Sequence, residues 1–314
     1  MASAEDAKGR ARSMEVSILH NLESHLGSDP RAQCHRVEGP GGNVIELFNV
    51  DCEIGLRNVE AESVDCIVTS PPYNLGIAYS RYDDTLPRGD YLAWLGRICE
   101  VLKTKLKPDG SFFLNIGSVP SNPWGPFEVI TSLRPRFVLQ NVIHWVKSIY
   151  VENETYEGKQ SMNVGHYKPI NSARFLNDTQ EYIFHLTKTG SVPINRLAIG
   201  VPYKDQNNIA RWKAGGVGIR CRGNSWYVPY KTINSRQDER PHPASFPPEI
   251  AELCIRLHGQ SGAAYRVMDP FMGIGNTALA CKNLGVSCIG FEIDPDYFQT
   301  SRAALGPQRT FTIR

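Results

Sequence analysis

Short apolar runs rich in β-branched and aromatic residues alternate along this chain with stretches of helical periodicity. No other feature restricts the fold so strongly. Segments 44–50, 64–69, 111–117, 137–145, 181–187, 266–269 and 286–292 read as strands. Between two of them, 90–106 carries Tyr91, Leu92, Leu95, Ile98, Cys99, Val101, Leu102 and Leu106 at helical spacing. Helices are also predicted over 247–258, 276–284 and 295–304. The first opens at Pro247-Pro248 and has Ile250, Leu253, Cys254 and Leu257 as its apolar face. Pro108-Asp109-Gly110 is expected to stop the 90–106 helix and turn the chain. Strands that alternate with helices bury a sheet on both faces, so the fold class is α/β with a doubly wound, mostly parallel sheet.

The chain has 314 residues, 41% hydrophobic and 21% charged, enough for one large α/β domain or two modest ones and unlike a disordered sequence. No run approaches the roughly 20 apolar residues of a membrane span. The first residues lack the apolar stretch of a secretory signal, which points to an intracellular protein. None of the eight cysteines forms a C-x-x-C pair, so they read as reduced and structural. The eight histidines lack metal-ligand spacing, and no metal is expected. Residues 1–36 are polar and form an N-terminal extension with one amphipathic helix over 14–26, whose apolar face is Val16, Ile18, Leu19, Leu22 and Leu26.

Charge is unevenly placed. The total is +2, yet 158–236 holds twelve Lys/Arg against Asp178, Glu181 and Asp205, a net charge of +9 that leaves −7 on the remainder. The same segment interleaves Tyr167, Phe175, Tyr203, Trp212, Trp226, Tyr227 and Tyr230, and 188–240 looks irregular. Cations attract a phosphate backbone and aromatics stack on bases, so the segment suits nucleic acid; a solvated basic surface is the plainer reading.

Two motifs carry chemistry. Asp269-Pro270-Phe271-Met272-Gly273-Ile274-Gly275-Asn276-Thr277 lies between a strand and a helix, where doubly wound sheets bind ligands. Its glycines let backbone approach a ligand closely, but the third glycine of the dinucleotide fingerprint is missing, so no pyrophosphate is implied. The next strand ends in Glu292, an acid that can accept hydrogen bonds from ribose hydroxyls. A nucleoside-containing cofactor and a plain tight turn both fit this unit. The second motif, Thr69-Ser70-Pro71-Pro72-Tyr73-Asn74, follows the 64–69 strand. Its prolines remove two N–H donors and leave carbonyls to accept. Ser70 Oγ and the Pro71 carbonyl can both accept from one amino group, while Tyr73 offers a face for a planar ring. An exocyclic amine on an extruded base suits that set. A Pro-Pro strand terminator with a packing tyrosine is the alternative.

Together, in this order, the motifs resemble the amino-methylating DNA methyltransferases of the circularly permuted β group. His242-Pro243-Ala244-Ser245-Phe246-Pro247 resembles that family's element just before the cofactor motif, and Phe48-Asn49-Val50-Asp51-Cys52 its acidic element near the cofactor adenine. Gly290-Phe291-Glu292-Ile293-Asp294 resembles its ribose-binding element. The likeness covers about 44–305; Ile274-Gly275-Asn276-Thr277 departs from the family's usual Ser-Gly-Thr-Thr.

The resemblance implies a Rossmann-like methyltransferase fold that uses S-adenosylmethionine on a base flipped from double-stranded DNA. It divides the chain into the extension 1–36, a catalytic half 37–157, a basic target-recognition region 158–236 that includes part of the sheet, and a cofactor half 237–314. Ser70, Pro71, Pro72 and Tyr73 would be catalytic. Asp51, Cys52, His242, Phe246, Asp269, Pro270, Phe271, Gly273, Gly275, Asn276, Thr277, Glu292 and Ile293 would hold the cofactor. Family members with Ser before Pro-Pro-Tyr are mostly cytosine-N4 enzymes, whereas Asp or Asn marks adenine-N6 enzymes, so cytosine N4 is the expected target and adenine N6 the alternative. Cytosine C5 transfer needs a nucleophilic cysteine, and no cysteine here follows a proline. A homodimer, a companion restriction endonuclease and a bacterial cytoplasmic or nucleoid location accord with the resemblance. Two other classes compete: a DNA-binding regulator on a degenerate methyltransferase fold, and a nicotinamide-dependent oxidoreductase, which leaves Ser70-Pro71-Pro72-Tyr73 unexplained.

Overall fold

The computed structural model describes residues 33–77, 79, 81–151, 161–165, 171–204, 218–229, 245–259, 262–306 and 310–312. The expected 14–26 helix and His242 lie outside them. Ten strands form one sheet in the order β11-β5-β8-β4-β3-β12-β13-β2-β1-β14. They are β1 (Gln33–Glu38), β2 (Val44–Asn49), β3 (Val64–Thr69), β4 (Leu106–Ile116), β5 (Val138–Val146), β8 (Gln180–Thr187), β11 (Ser225–Tyr227), β12 (Arg266–Asp269), β13 (Ser287–Glu292) and β14 (Thr310–Thr312). Two small ribbons pair β6 (Ile149–Val151) with β7 (Met162–Val164) and β9 (Val201–Pro202) with β10 (Ile219–Arg220). The helices are α1 (Cys52–Gly55), α2 (Arg88–Lys105), α3 (Gly125–Leu133), α4 (Pro248–His258), α5 (Asn276–Leu284) and α6 (Pro295–Leu305).

The centre, β4-β3-β12-β13-β2, is parallel, and β1 and β8 run against it. Successive side chains on a strand face opposite ways, and the core divides accordingly. Ile67, Phe112, Leu114 and Phe48 pack on one face with Tyr91, Leu95, Ile98 and Leu102 of α2 and Val129 and Leu133 of α3. Cys66, Val68, Phe113 and Leu47 pack on the other with Ile250, Cys254 and Ile255 of α4, Ala278 and Cys281 of α5 and Phe298 of α6. Both faces are covered, as the strand–helix alternation requires.

Pro108-Asp109-Gly110 turns the chain as a bulge at the start of β4: the five steps from Leu106 to Ser111 lie against two on β3, and Gly110 folds back on the Leu106 side chain. Helix α2 passes directly into β4, which contains all three residues. The ladder tolerates Pro108 because the register with β3 shifts there, from Val64↔Leu106 to Cys66↔Ser111, so no strand donor is required of a residue that lacks one. Residues 33–36, assigned by sequence to the extension, belong to β1. The 188–240 stretch, expected to be irregular, contributes β9, β10 and β11, the last seated parallel on β5.

The chain leaves β3 toward β4 on one side and β12 toward β13 on the other. The sheet therefore changes winding direction between β3 and β12, neighbours aligned Val267↔Cys66 and Met268↔Ile67. A crevice opens at the carboxyl ends of strands where the winding reverses. Both sequence motifs emerge at that point.

Candidate active site

Thr69 and Asp269, the last residues of β3 and β12, are joined across the switch. The Asp269 carboxylate is 1% exposed and accepts from Thr69 Oγ1 at 2.6 Å, Thr277 Oγ1 at 2.6 Å and the Phe271 N–H at 3.1 Å. Burial pushes its pKa up to about 6, against these three hydrogen bonds. Asp269 thus ties both motif loops to the first turn of α5. Gly275 has φ +83°, and a Cβ there would stand 2.7 Å from Ser301 Cβ of α6. Its glycine is needed for a left-handed turn laid closely on a helix. Asp269, Gly275 and Thr277, expected to touch a cofactor, do not line the cleft described next. They lie behind its wall, because burial of the strand end and packing of α5 and α6 occupy them.

A cleft opens above the switch point, lined by Ser70 and Pro72 from the first motif and by Pro270, Phe271, Gly273 and Asn276 from the second. Asp51 and Cys52 reach it from the end of β2, and Glu292 and Ile293 from the end of β13. Glu292 accepts from the Gly273 and Asp294 N–H groups, both at 2.8 Å, and burial first, then the nearby Asp294 and Asp269 carboxylates, push its pKa up to about 7. Phe246 also lines the cleft, fixed by a 2.6 Å bond from Asn276 Nδ2 to its carbonyl. The departure at Asn276 from the resembled pattern therefore has a local use: it fastens the segment before α4 to the start of α5.

A third wall was not foreseeable from the motifs. Asp84 accepts from the N–H groups of Asn74, Leu75 and Ile77 at 2.8, 3.0 and 3.0 Å, which curls the chain after the first motif. That curl brings Tyr79, Arg81 and Tyr82 to the cleft. The Tyr82 ring lies 5.2 Å from Trp94 of α2, and Trp94 lies 5.6 Å from Phe271. Asp51, Glu292 and Asp294 are the lining carboxylates and Arg81 the lining cation among the described residues. An acidic cleft with aromatic walls favours a cationic ligand over a pyrophosphate, which needs donors and positive charge. The residues present fit a sulfonium nucleoside.

Beside the cleft, Ser70 Oγ lies 2.6 Å from Tyr73 Oη. Tyr73 Oη also meets Asn115 Nδ2 of β4 at 2.7 Å and Glu181 Oε2 of β8 at 3.1 Å. Asn115 Nδ2 donates to Glu181 Oε2 at 2.7 Å, and Lys147 Nζ, just past β5, pairs with Glu181 Oε1 at 3.0 Å. Pro71 is buried and Tyr73 half-buried; neither is part of the cleft wall. The Pro72 carbonyl accepts from Tyr91 Oη at 2.8 Å, which pins the motif to α2. Glu181 was legible only as one acid in a basic segment, and Asn115 as a polar residue in an apolar run.

Among the described residues, the cations of the basic segment do not share one surface. Lys188 pairs with Glu62 at 3.2 Å, beyond the end of β8 that lies beside the start of β4, opposite the cleft edge. Arg220 and Arg222 sit in and after β10, bonded to the Cys221 and Ile199 carbonyls. Lys159, Lys168, Arg211, Lys213, Lys231 and Arg236 lie outside the described residues. No helix among the described residues is long and apolar enough to cross a membrane, and none of their side-chain groups forms a metal-holding cluster.

Comparison with known proteins agrees with this geometry. Type II methyltransferase M.XycI of Xanthomonas campestris pv. cyanopsidis is 27% identical over 299 residues, covering 85% of this chain and 90% of that protein. Type II methyltransferase M.ScaI of Streptomyces caespitosus is 24% identical over 266 residues, covering 82% and 80%. Among solved structures, the cytosine-N4-specific PvuII DNA methyltransferase matches with a TM-score of 0.60 at 18% identity, covering 87% of this chain and 91% of that one, a likeness of fold. A model of the DNA methylase family matches residues 64–303, from β3 and its motif through α6. The chain belongs to the DNA methylase family.

Proposed function

We propose that this chain is a site-specific DNA methyltransferase that moves a methyl group from S-adenosylmethionine to the N4 amine of cytosine in a flipped-out base. One observation carries the reading: Ser70 and Pro72 line the same cleft as Phe271, Gly273 and Glu292, on neighbouring strands at the switch point. An acceptor for an amine thus stands beside a pocket suited to a cationic nucleoside.

Glu292 would accept from the ribose hydroxyls, Asp51 and Cys52 would lie at the adenine, and Phe271 with Trp94 would wall the sulfonium. When bound, that group supplies an electrophilic methyl. The rest is positioning. A cytosine amine is a poor nucleophile because its lone pair is delocalised into the ring. Ser70 Oγ and the Pro71 carbonyl, accepting from its two hydrogens, favour a more localised lone pair and stabilise the positive charge that develops on nitrogen. The Tyr73 ring, held by its hydroxyl and by packing of its edge against Gly117, offers a stacking face for the base. Flipping costs a few kcal/mol, which cationic contacts from 158–236 would offset. Serine at position 70, where an acid or amide would mark an adenine enzyme, supports cytosine.

The test is direct. DNA from cells that express the chain is digested to nucleosides and its modified bases are mapped. N4-methylcytosine in a fixed sequence context is expected. N6-methyladenine instead would overturn the base assignment. No incorporation of labelled methyl into any unmethylated DNA by the folded protein would favour a DNA-binding protein without activity.

A further inference from the structure

Glu181 has no part in the reading above, yet it ends a chain of hydrogen bonds that begins at Ser70. The Glu181 charge gives that chain a direction. The Glu181 carboxylate, paired with Lys147 Nζ, can only accept. Asn115 Nδ2 lies 2.7 Å from both Tyr73 Oη and Glu181 Oε2, so it donates toward both. Turning the amide over would set its oxygen against the carboxylate. The orientation is kept although it leaves Asn115 Oδ1 buried without a hydrogen-bond partner, at a residue 3% exposed. Tyr73 has one hydroxyl hydrogen, for which Ser70 Oγ at 2.6 Å and Glu181 Oε2 at 3.1 Å compete; the carboxylate is the charged and stronger acceptor, and the hydrogen is assigned to it. The 2.6 Å contact between Ser70 and Tyr73 must then use the Ser70 hydrogen. With that hydrogen directed away, the Ser70 lone pairs are left to accept.

We infer that Glu181 is a positioning residue: it sets the direction of the Ser70–Tyr73–Glu181 chain, keeps Ser70 an acceptor toward the target amine and takes up the proton that the amine sheds. This rests on the proposed amino-methylation and deepens it. After the amine nitrogen has gained the methyl group it carries one proton in excess. That N–H bond breaks as Ser70 Oγ takes the proton, Ser70 passes its own proton to Tyr73 Oη, and Tyr73 passes its proton to Glu181 Oε2. Ser70 and Tyr73 end as they began, the base is neutral, and Glu181 is a neutral acid that returns its proton to solvent. No oxidant, reductant or further reactant is needed. The serine does not have to become an alkoxide, because each oxygen in the chain gains a proton as it gives one up.

Glu181→Gln takes that direction away. Lys147 claims the amide oxygen, the amide N–H₂ meets the Asn115 N–H₂ donor to donor and turns that amide over, and Tyr73 loses its carboxylate acceptor, so nothing charged holds the Ser70 hydrogen away from the base or takes up its proton. The experiment is single-turnover transfer from tritiated S-adenosylmethionine to unmethylated genomic DNA, with donor affinity and thermal stability measured beside it. Glu181→Gln is expected to slow transfer about 100-fold, the low end of what proton management contributes, with donor affinity unchanged and the melting temperature lowered only by the loss of the Lys147 ion pair. Glu181→Asp should recover part of the rate. Tyr73→Phe, which removes one oxygen and keeps the ring, should slow transfer similarly, and the double variant should be no slower than the slower single one. Glu181→Gln at the wild-type rate, additive losses, or a loss matched by equal losses of donor affinity and stability would each overturn the inference. An active wild type with an undiminished Glu181→Gln overturns this inference alone. A wild type that transfers no methyl overturns the proposed function as well.

Discussion

Replacing Asp269 by asparagine tests how the two motif loops are joined. The carboxylate is buried, and its pKa is raised from 3.8 to about 6 mainly by desolvation. An acid with a raised folded pKa keeps more protons in the native state than in the unfolded one between those two values, so its contribution to stability falls as pH rises through that window. A tenfold change in acidity is worth about 1.4 kcal/mol. The ionised side chain therefore costs the fold about 3 kcal/mol by pH 8, and about 2 kcal/mol of that accrues between about pH 4.5 and pH 8. An asparagine would carry no such cost and can keep the contacts. Its oxygen takes the bonds from Thr69 and the Phe271 N–H, which both reach Oδ1. Its N–H₂ donates to Thr277, whose hydroxyl can turn and accept. Asp269→Asn should therefore gain on the wild type by about 2 kcal/mol as pH rises from about 4.5 to 8, read by urea unfolding at both pH values. A stability difference independent of pH would refute the argument. Asp269→Ala is the contrast: it orphans three buried donors and should cost about 3 kcal/mol or more.

Glu292 also titrates within the working range. Its carboxylate form should bind ribose hydroxyls best, and its pKa is raised to about 7, so S-adenosylmethionine affinity should climb as pH rises from about 6 to 8; a flat calorimetric profile, or one unchanged in Glu292→Gln, would contradict the assigned role. Gly275→Ala should destabilise by about 1–3 kcal/mol, because the new Cβ needs both a left-handed backbone and room that Ser301 occupies, whereas Gly273→Val should block the donor site and spare DNA affinity. Reversing charge at Arg220 and Arg222 should weaken DNA binding and flatten its salt dependence, while Lys188→Glu should leave both unchanged, because Lys188 pairs with Glu62 at the other edge of the sheet. An equal effect from Lys188 would relocate the DNA surface.

The strand–helix alternation exposed the sheet because burial on two faces writes continuous apolar runs into sequence. The two motifs were legible because proline, glycine and a strand-end acid constrain backbone locally, wherever the rest of the chain goes. β1 was not legible: His35, Arg36 and Glu38 interrupt its pattern, and only pairing with β2 and β14 makes it a strand. The same limit applies to the site. Asp269 reads as a ligand-facing acid at a strand end until Thr69, 200 residues away, is seen to hold it. Glu181 reads as a stray acid until the antiparallel register of β8 against β4 and β5 brings it to Asn115 and Lys147. Tyr82 and Trp94 carry no signal in the sequence, because only the curl that Asp84 imposes on 74–77 brings Tyr82 onto Trp94 at the cleft.

The antiparallel run of β8 explains why Glu181 is hidden in the sequence. In a wholly parallel sheet, the residues at the carboxyl edge all come from strand ends, where a sequence reader looks for them. β8 enters from that edge instead, so its first residues, Gln180 and Glu181, stand level with the last of β4 and β5: Tyr182 faces Ile116, and Glu181 faces Trp145. An acid at the start of β8 thereby reaches the tyrosine of a loop 108 residues earlier. It also lies within reach of Lys147, so a strand of the basic region delivers an ion pair to the edge where the target amine would be held. One strand reversal thus brings the region expected to read DNA into contact with the motif expected to act on it. β8, the part of the sheet that the 158–236 region is expected to include, lies hydrogen-bonded between β4 and β5 of the preceding segment.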